Sequence, residues 1–374
     1  MTALDRLTAP GPKKLLALDG GGIRGALSIE VLAGIEAMLR DATGAPDLRL
    51  CDWFDFVGGT STGAILAAAI ACGMTTAELR DFYERSGPAM FDKASLLRRF
   101  RYRYEDDALA AELRSIFGET TELGSDRLRT LLLMVMRNAT TDSPWPLSNN
   151  PRAKYNGTGD DQDNLKLPLW QLIRASTAAP TYFPPERIEV GKNSFLFVDG
   201  GITMFNNPSF QMFLMATIAP YRMEWATGEE HLLLVSVGTG HAAEANRDLA
   251  AAEMNLLYNA GSIPSALMAA ALHEQDTLCR VFGRCRAGDP IDREVGDLRR
   301  CDAPGGKKLF TYLRYNAELS HRGLARLGIT GVEPKAVQRL DSIAAIPDLQ
   351  RIGRAVASGI ERSQFHPFLA VQPS

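Results

Sequence analysis

The chain has 374 residues, 45% of them hydrophobic and 23% charged, with a formal net charge of −3. That composition suits a globular protein with one large core or a main domain with an appendage, and it excludes a general binder of DNA or RNA, which carries a basic excess. The five cysteines, Cys51, Cys72, Cys279, Cys285 and Cys301, are scattered without a CxxC pair, which argues against a disulfide frame or structural zinc site and points to a reducing, cytoplasmic setting.

The opening stretch MTALDRLTAPGPKK lacks the apolar core of a secretory signal. No run approaches the roughly 18 apolar residues that span a bilayer. Residues 13–18 (KKLLAL) read as a buried parallel strand that ends in a glycine cluster. A helix is expected from Arg24 or Gly25, with Leu27, Val31, Ile35 and Met38 on one face. Residues 52–58 read as a second strand. Residues 62–72, small and apolar all round, read as a buried helix. Strands are expected at 130–136, 195–198 and 232–237, with helical patterns between them, for instance over 169–178. Short apolar strands alternating with helices indicate an α/β layer with a mostly parallel sheet, whose ligands bind at the carboxyl ends of the strands.

The texture changes after about residue 245. An alanine- and leucine-rich helix is expected over 250–273, then basic or glycine-rich patches at 280–286 and 299–308. An edge strand fits 310–313, and helices fit 334–343 and 349–365. The expected organisation is a catalytic domain over residues 12–245 with a mostly helical C-terminal extension, 246–374, packed on it. Residues 149–164 read as a polar, mobile loop. Residues 90–104 (MFDKASLLRRFRYRY) alternate cations with aromatics. They suit either a solvated helix or a surface that meets anionic head groups through Arg98 and Arg99.

Three motifs carry chemistry. Gly59-Thr60-Ser61-Thr62-Gly63 follows one expected strand and opens a buried helix. This is the setting in which G-x-S-x-G pushes a serine hydroxyl out at the top of a sheet, beside the positive end of the helix. Asp19-Gly20-Gly21-Gly22-Ile23-Arg24-Gly25 also joins strand to helix. Its amides suit an oxyanion hole, where each donor contributes about 3 kcal/mol to the transition state. It also fits G-x-G-x-x-G, but Asp41, near the distance a dinucleotide site requires, ends a helical stretch rather than a strand. Asp199-Gly200-Gly201 follows the fourth strand, where a carboxylate can reach into a cleft.

Histidine supply bears on mechanism. None of the five histidines precedes His231. Ser61, Asp199 and His241 would make a triad in hydrolase order. A two-residue Ser61–Asp199 arrangement, in which the carboxylate takes the serine proton itself, also fits. No HExxH pattern occurs, so no metal site is expected. A nucleotide-binding sensor without hydrolysis is the reading from a different class.

Taken together, the DGGGIRG turn, GTSTG and DGG, in that order, resemble the patatin-like phospholipase family over about residues 12–240. The resemblance implies a three-layer α/β/α fold and hydrolysis of phospholipid or other lipid esters. It implies Ser61 as nucleophile and Asp199 as its partner, and no metal or organic cofactor. It further implies an oxyanion hole from Gly20, Gly21, Gly22 and Gly25, with Gly21 and Gly22 as the donors and Arg24 holding the turn. Residues 175–185 (ASTAAPTYFPP) resemble a family segment that precedes the catalytic aspartate, with Phe183 lining the acyl site. Some bacterial members act in anti-phage defence, are switched on by cyclic nucleotides and damage the membrane. Their resemblance implies a cyclic-nucleotide activator and peripheral contact with the inner membrane face.

Overall fold

A computed structural model describes residues 2–91, 108–180, 182–241 and 256–369. Among the described residues nine strands form one sheet: β1 Lys13–Leu18, β2 Phe56–Thr60, β3 Leu131–Asn138, β4 Ser143–Ser148, β5 Glu186–Val190, β6 Asn193–Asp199, β7 Leu232–Val237, β8 Arg284–Ala287 and β9 Thr311–Tyr315. The order is β5-β6-β3-β2-β1-β7-β9-β8, with β4 paired to β3 off this path. The pairs β3-β2, β2-β1, β1-β7, β7-β9 and β9-β8 are parallel, whereas β4, β5 and β6 run antiparallel to their neighbours.

The central strands read as unbroken apolar runs because both faces of the sheet are covered. Leu16 and Leu18 of β1 and Leu233, Val235 and Val237 of β7 enter one core. Leu15, Ala17, Leu232 and Leu234 alternate into the other. The first core contains the helices Gly25–Thr43, Thr62–Ala71 and Ile346–Ala357. The second contains Ser209–Thr217 and part of Leu256–Phe282. This is a three-layer α/β/α arrangement. All ten residues of the helix Thr62–Ala71 are buried, which explains its lack of a polar face.

The second strand lies later than its sequence suggested. Residues Leu50–Trp53 form a short helix, closed by the Asp52 carboxylate accepting the Arg49 amide at 2.9 Å. Asp55 then accepts the Lys14 amide at 2.8 Å, and β2 begins at Phe56. The C-terminal part departs further. The sequence placed an edge strand at 310–313 in a mostly helical extension, but β9 lies between β7 and β8, inside the sheet. Its Tyr312 faces one core and Leu313 the other. Residues 149–164 are anchored rather than loose. Asp163 accepts the amides of Gly157, Gly159 and Leu165, and Asn156 donates to the Ser148 and Asn150 carbonyls. Arg98 and Arg99 lie outside the described residues. Among the described residues no helix is long and apolar enough to cross a membrane.

Candidate active site

Strand registers bring the expected nucleophile, Ser61, and its expected partner, Asp199, together. β3 pairs with β2 up to Thr60↔Val135. From Met136↔Asp199 onward the same edge of β3 pairs with β6 instead. Ser61, the residue after β2, and Asp199, the last residue of β6, therefore meet where one neighbour of β3 hands over to the next. Ser61 Oγ donates to Asp199 Oδ2 at 2.6 Å. Gly200 allows this approach, because a Cβ there would collide with the Val135 carbonyl.

Ser61 has φ 55° and ψ −123°, a left-handed backbone conformation that costs a side-chain-bearing residue about 1–3 kcal/mol. Contacts made by Ser61 and by the residues on either side hold it. Its amide donates to Ser176 Oγ at 3.0 Å, and the Ser176 hydroxyl donates to the Val135 carbonyl at 2.5 Å. Gly59 and Gly63 pass so close that a Cβ on Gly59 would strike the Gly63 carbonyl. A Cβ on Gly63 would meet the Leu18 and Asp19 carbonyls, so the first turn of the helix Thr62–Ala71 lies directly on the DGGG turn. Thr62, on the same turn, shares a hydrogen bond with the buried Tyr83 hydroxyl.

Asp199 is 5% exposed. Its Oδ1 accepts the Gly201 amide at 2.6 Å and its backbone amide donates to the Ala178 carbonyl at 3.0 Å. No cation pairs with it among the described residues. Burial pushes its carboxyl up to about 6, against the opposing hydrogen bonds from Ser61 and Gly201. A carboxylate tuned toward neutrality and bonded to a hydroxyl is the geometry of a general base.

The glycine-rich turn presents two free donors. The Gly20 amide donates to the Asn206 carbonyl at 3.0 Å and the Ile23 amide to the Leu340 carbonyl at 3.0 Å. The Gly25 amide turns back to the Gly22 and Ile23 carbonyls. Among the described residues, the Gly21 and Gly22 amides donate to nothing. Their peptide planes are nevertheless fixed from the other side, since the carbonyl of a trans peptide points opposite its N–H. The Gly20 carbonyl accepts from Thr239 Oγ1 at 2.8 Å. The Gly21 carbonyl accepts from the Arg24 amide at 3.2 Å and from Arg24 Nε at 3.4 Å. Burial lowers Arg24 to about 10, and the nearby Asp19 opposes that shift.

The other sequence candidates fall elsewhere. His241 does not reach the Ser61–Asp199 pair. Its Nδ1 lies 3.2 Å from Asn316 Nδ2, and its ring meets His273 edge-on at 5.7 Å. It lines a separate cavity with His273, Asp276, Arg280 and Arg314. Burial lowers it to about 4, so it is neutral there. Asp41 pairs with Arg362 at the surface, away from the glycine turn that a nucleotide reading would pair it with. Phe183 is buried in the core with the Arg174 guanidinium 5.1 Å above its ring. Among the described residues no three His, Cys, Asp or Glu side chains could hold a metal ion.

Sequence reasoning missed Ser176, Thr239, Asn206 and Arg314. Arg314 pairs bidentately with Asp19, Nη1 to Oδ1 at 2.9 Å and Nη2 to Oδ2 at 2.6 Å. An arginine inside the otherwise uncharged FTYLRY run was the one available signal.

Comparison with known proteins agrees with the motifs. The family model for patatin-like phospholipase matches residues 16–212, just over half of the chain. A cGAMP-activated phospholipase of Vibrio cholerae is 33% identical over 210 residues, covering 53% of this chain and 56% of that protein. Patatin-T5 of Solanum tuberosum is 28% identical over 256 residues, covering 64% of this chain and 63% of its own length. The chain thus spans less than two thirds of the length of these relatives. Human GIVD cytosolic phospholipase A2 aligns over 97% of this chain and 60% of its own, with TM-score 0.49 and 14% identity. The chain belongs to the patatin-like phospholipase family.

Proposed function

We propose that the chain is a serine lipid acyl hydrolase, of phospholipase A or lysophospholipase type, that works through a Ser61–Asp199 dyad. The observation that carries this reading is the 2.6 Å hydrogen bond from Ser61 Oγ to a buried carboxylate that has no cation beside it among the described residues. In the first step Asp199 Oδ2 takes the Ser61 proton while Oγ attacks the ester carbonyl carbon. The Gly21 and Gly22 amides receive the oxyanion. As the tetrahedral centre collapses, the alcohol leaves with the proton held by Asp199, and the acyl group stays on Ser61. Water, deprotonated by Asp199, then attacks the acyl-enzyme, and fatty acid departs as Ser61 recovers its proton.

Substrate delivery follows from the surface beside the dyad. Ile202 and Met204 follow the DGG turn and are 41% and 47% exposed, and Leu267 on the helix Leu256–Phe282 is 65% exposed. Gly201 lies against Met268 of that helix, so the helix borders the DGG turn. Apolar side chains at the mouth of a lipid site favour peripheral docking on a bilayer. The resemblance to a phospholipase named for activation by cGAMP supports a cyclic-nucleotide activator for this chain as well, and the same reading extends to a regulated, membrane-degrading role.

The test is fatty acid release from mixed phospholipid vesicles by wild type, Ser61→Ala and Asp199→Ala, with and without cyclic dinucleotides. Release by wild type that both variants lose is the expected result. Release that survives Ser61→Ala overturns the reading. Replacing Ile202 and Met204 by Asp should slow vesicle hydrolysis about tenfold and leave a soluble p-nitrophenyl ester unaffected.

A further inference from the structure

The oxyanion turn is held from the part of the chain that follows the family match. Asp19 opens that turn and is 2% exposed, and its carboxylate is gripped by Arg314 of β9, itself 6% exposed. The reach is set by the sheet. Ala17 of β1 stands beside Ser236 of β7, and Ser236 stands beside Arg314 of β9. Asp19 lies two residues beyond Ala17, on the same face. Arg314 crosses above β7 to meet it, and Nη1 also donates to Ser236 Oγ at 2.7 Å on the way. One strand end further, Thr239 fixes the Gly20 carbonyl at 2.8 Å. A Cβ on Gly21 would collide with the Thr239 side chain, so the two segments are in direct contact.

We propose that Arg314 and Thr239 are positioning residues for catalysis: they aim the Gly21 and Gly22 amides at the developing oxyanion, so that the C-terminal strands set the rate of the N-terminal site. This rests on the reading of those amides as oxyanion donors. Arg314 sets the height of the turn through Asp19, and Thr239 sets the rotation of the Gly20–Gly21 peptide. Neither touches the reacting atoms. Loss of Arg314 would leave a buried, unpaired carboxylate at the root of the turn. Loss of the Thr239 hydroxyl would free the peptide whose N–H is the donor. A donor misaimed in this way weakens only the state in which the oxygen bears charge, so the effect falls on kcat rather than KM.

The experiment compares wild type, Thr239→Val, Arg314→Met, Arg314→Lys and Ser61→Ala on a short-chain p-nitrophenyl ester. It also measures the affinity of each for a fatty-alkyl trifluoromethyl ketone, to which Ser61 Oγ adds to form an oxyanion, and for the matching ether, which cannot react. Thr239→Val should lower kcat about tenfold and Arg314→Met about a hundredfold, with KM within about twofold and Arg314→Lys in between. Ketone affinity should fall by the same factors while ether affinity stays constant. If Arg314→Met fails to fold, Thr239→Val and Arg314→Lys decide. A folded variant with wild-type kcat, or equal losses for ketone and ether, overturns the proposal. Activity that survives Ser61→Ala would instead remove the reading of the site on which it rests.

Discussion

Asp19 and Asp199 stand in the same local sequence. Each ends at or just beyond a strand, each is followed by two glycines, and each is almost wholly buried. Their partners differ. Asp19 faces the Arg314 guanidinium in a two-pronged ion pair. Asp199 faces a hydroxyl and one backbone amide, with no positive charge among the described residues. Burial pushes both carboxyls up, but at Asp19 the Arg314 guanidinium opposes the rise and makes the carboxylate an anchor, whereas at Asp199 only a hydroxyl and one amide oppose it. The chemistry of a DGG turn therefore lies in what the rest of the chain brings to the carboxylate.

The sharpest way to break this comparison is to neutralise each carboxylate in turn. Asp199→Asn should lower kcat on the order of 10⁴-fold while the protein stays folded, since removing the base of a nucleophile has cost of that size. Asp19→Asn should act on stability as well as on kcat, because it breaks the ion pair that holds the glycine turn. It strands a buried guanidinium, at roughly 3–5 kcal/mol, and thermal or urea unfolding will show it. The Asp199 substitution also carries a pH signature. Asp199 is raised to about 6 from an ordinary 3.8, so the folded state holds its proton more tightly than the unfolded chain. Stability from this group is present below about pH 4 and is lost as pH rises toward 6. Asp199→Asn should therefore raise the melting temperature at pH 8, with the gain vanishing near pH 4. Activity runs the opposite way: kcat/KM should fall about tenfold per pH unit below 6, as the base becomes protonated. The smallest expected change is at His241, where His241→Gln should leave kcat within about twofold. A triad histidine would cost several orders of magnitude there.

How much of this was legible in the sequence depended on whether the information was local. Strand, glycine turn and helix are written side by side at 13–25 and 56–71, so the elbow at Ser61 and the turn at Asp19 could be placed from pattern alone. Asp199 could be recognised by its glycines and its strand. Its partnership with Ser61 was one of two arrangements that the late histidines and the flanking glycines left open, and the family resemblance favoured it; nothing local reports a bond across 138 residues. The Arg314–Asp19 pair spans 295 residues and the Thr239–Gly20 bond 219, and neither leaves a local motif. β9 was misplaced as an edge strand for the same reason. Its order in the sheet is set by β8 outside it, a four-residue strand too short and polar to read from periodicity. The Asp52 boundary failed because one side chain, capping the Arg49 amide, overrode an apolar run.

The measurement that tests the central claim most directly is the fate of the acyl group. Wild type and Asp199→Asn should each be mixed with a short-chain p-nitrophenyl ester, quenched within a turnover, digested and mapped by mass spectrometry. The dyad predicts an acyl adduct on Ser61 in wild type and almost none in Asp199→Asn. An adduct on another residue, or one on Ser61 that forms equally fast without the carboxylate, would contradict it.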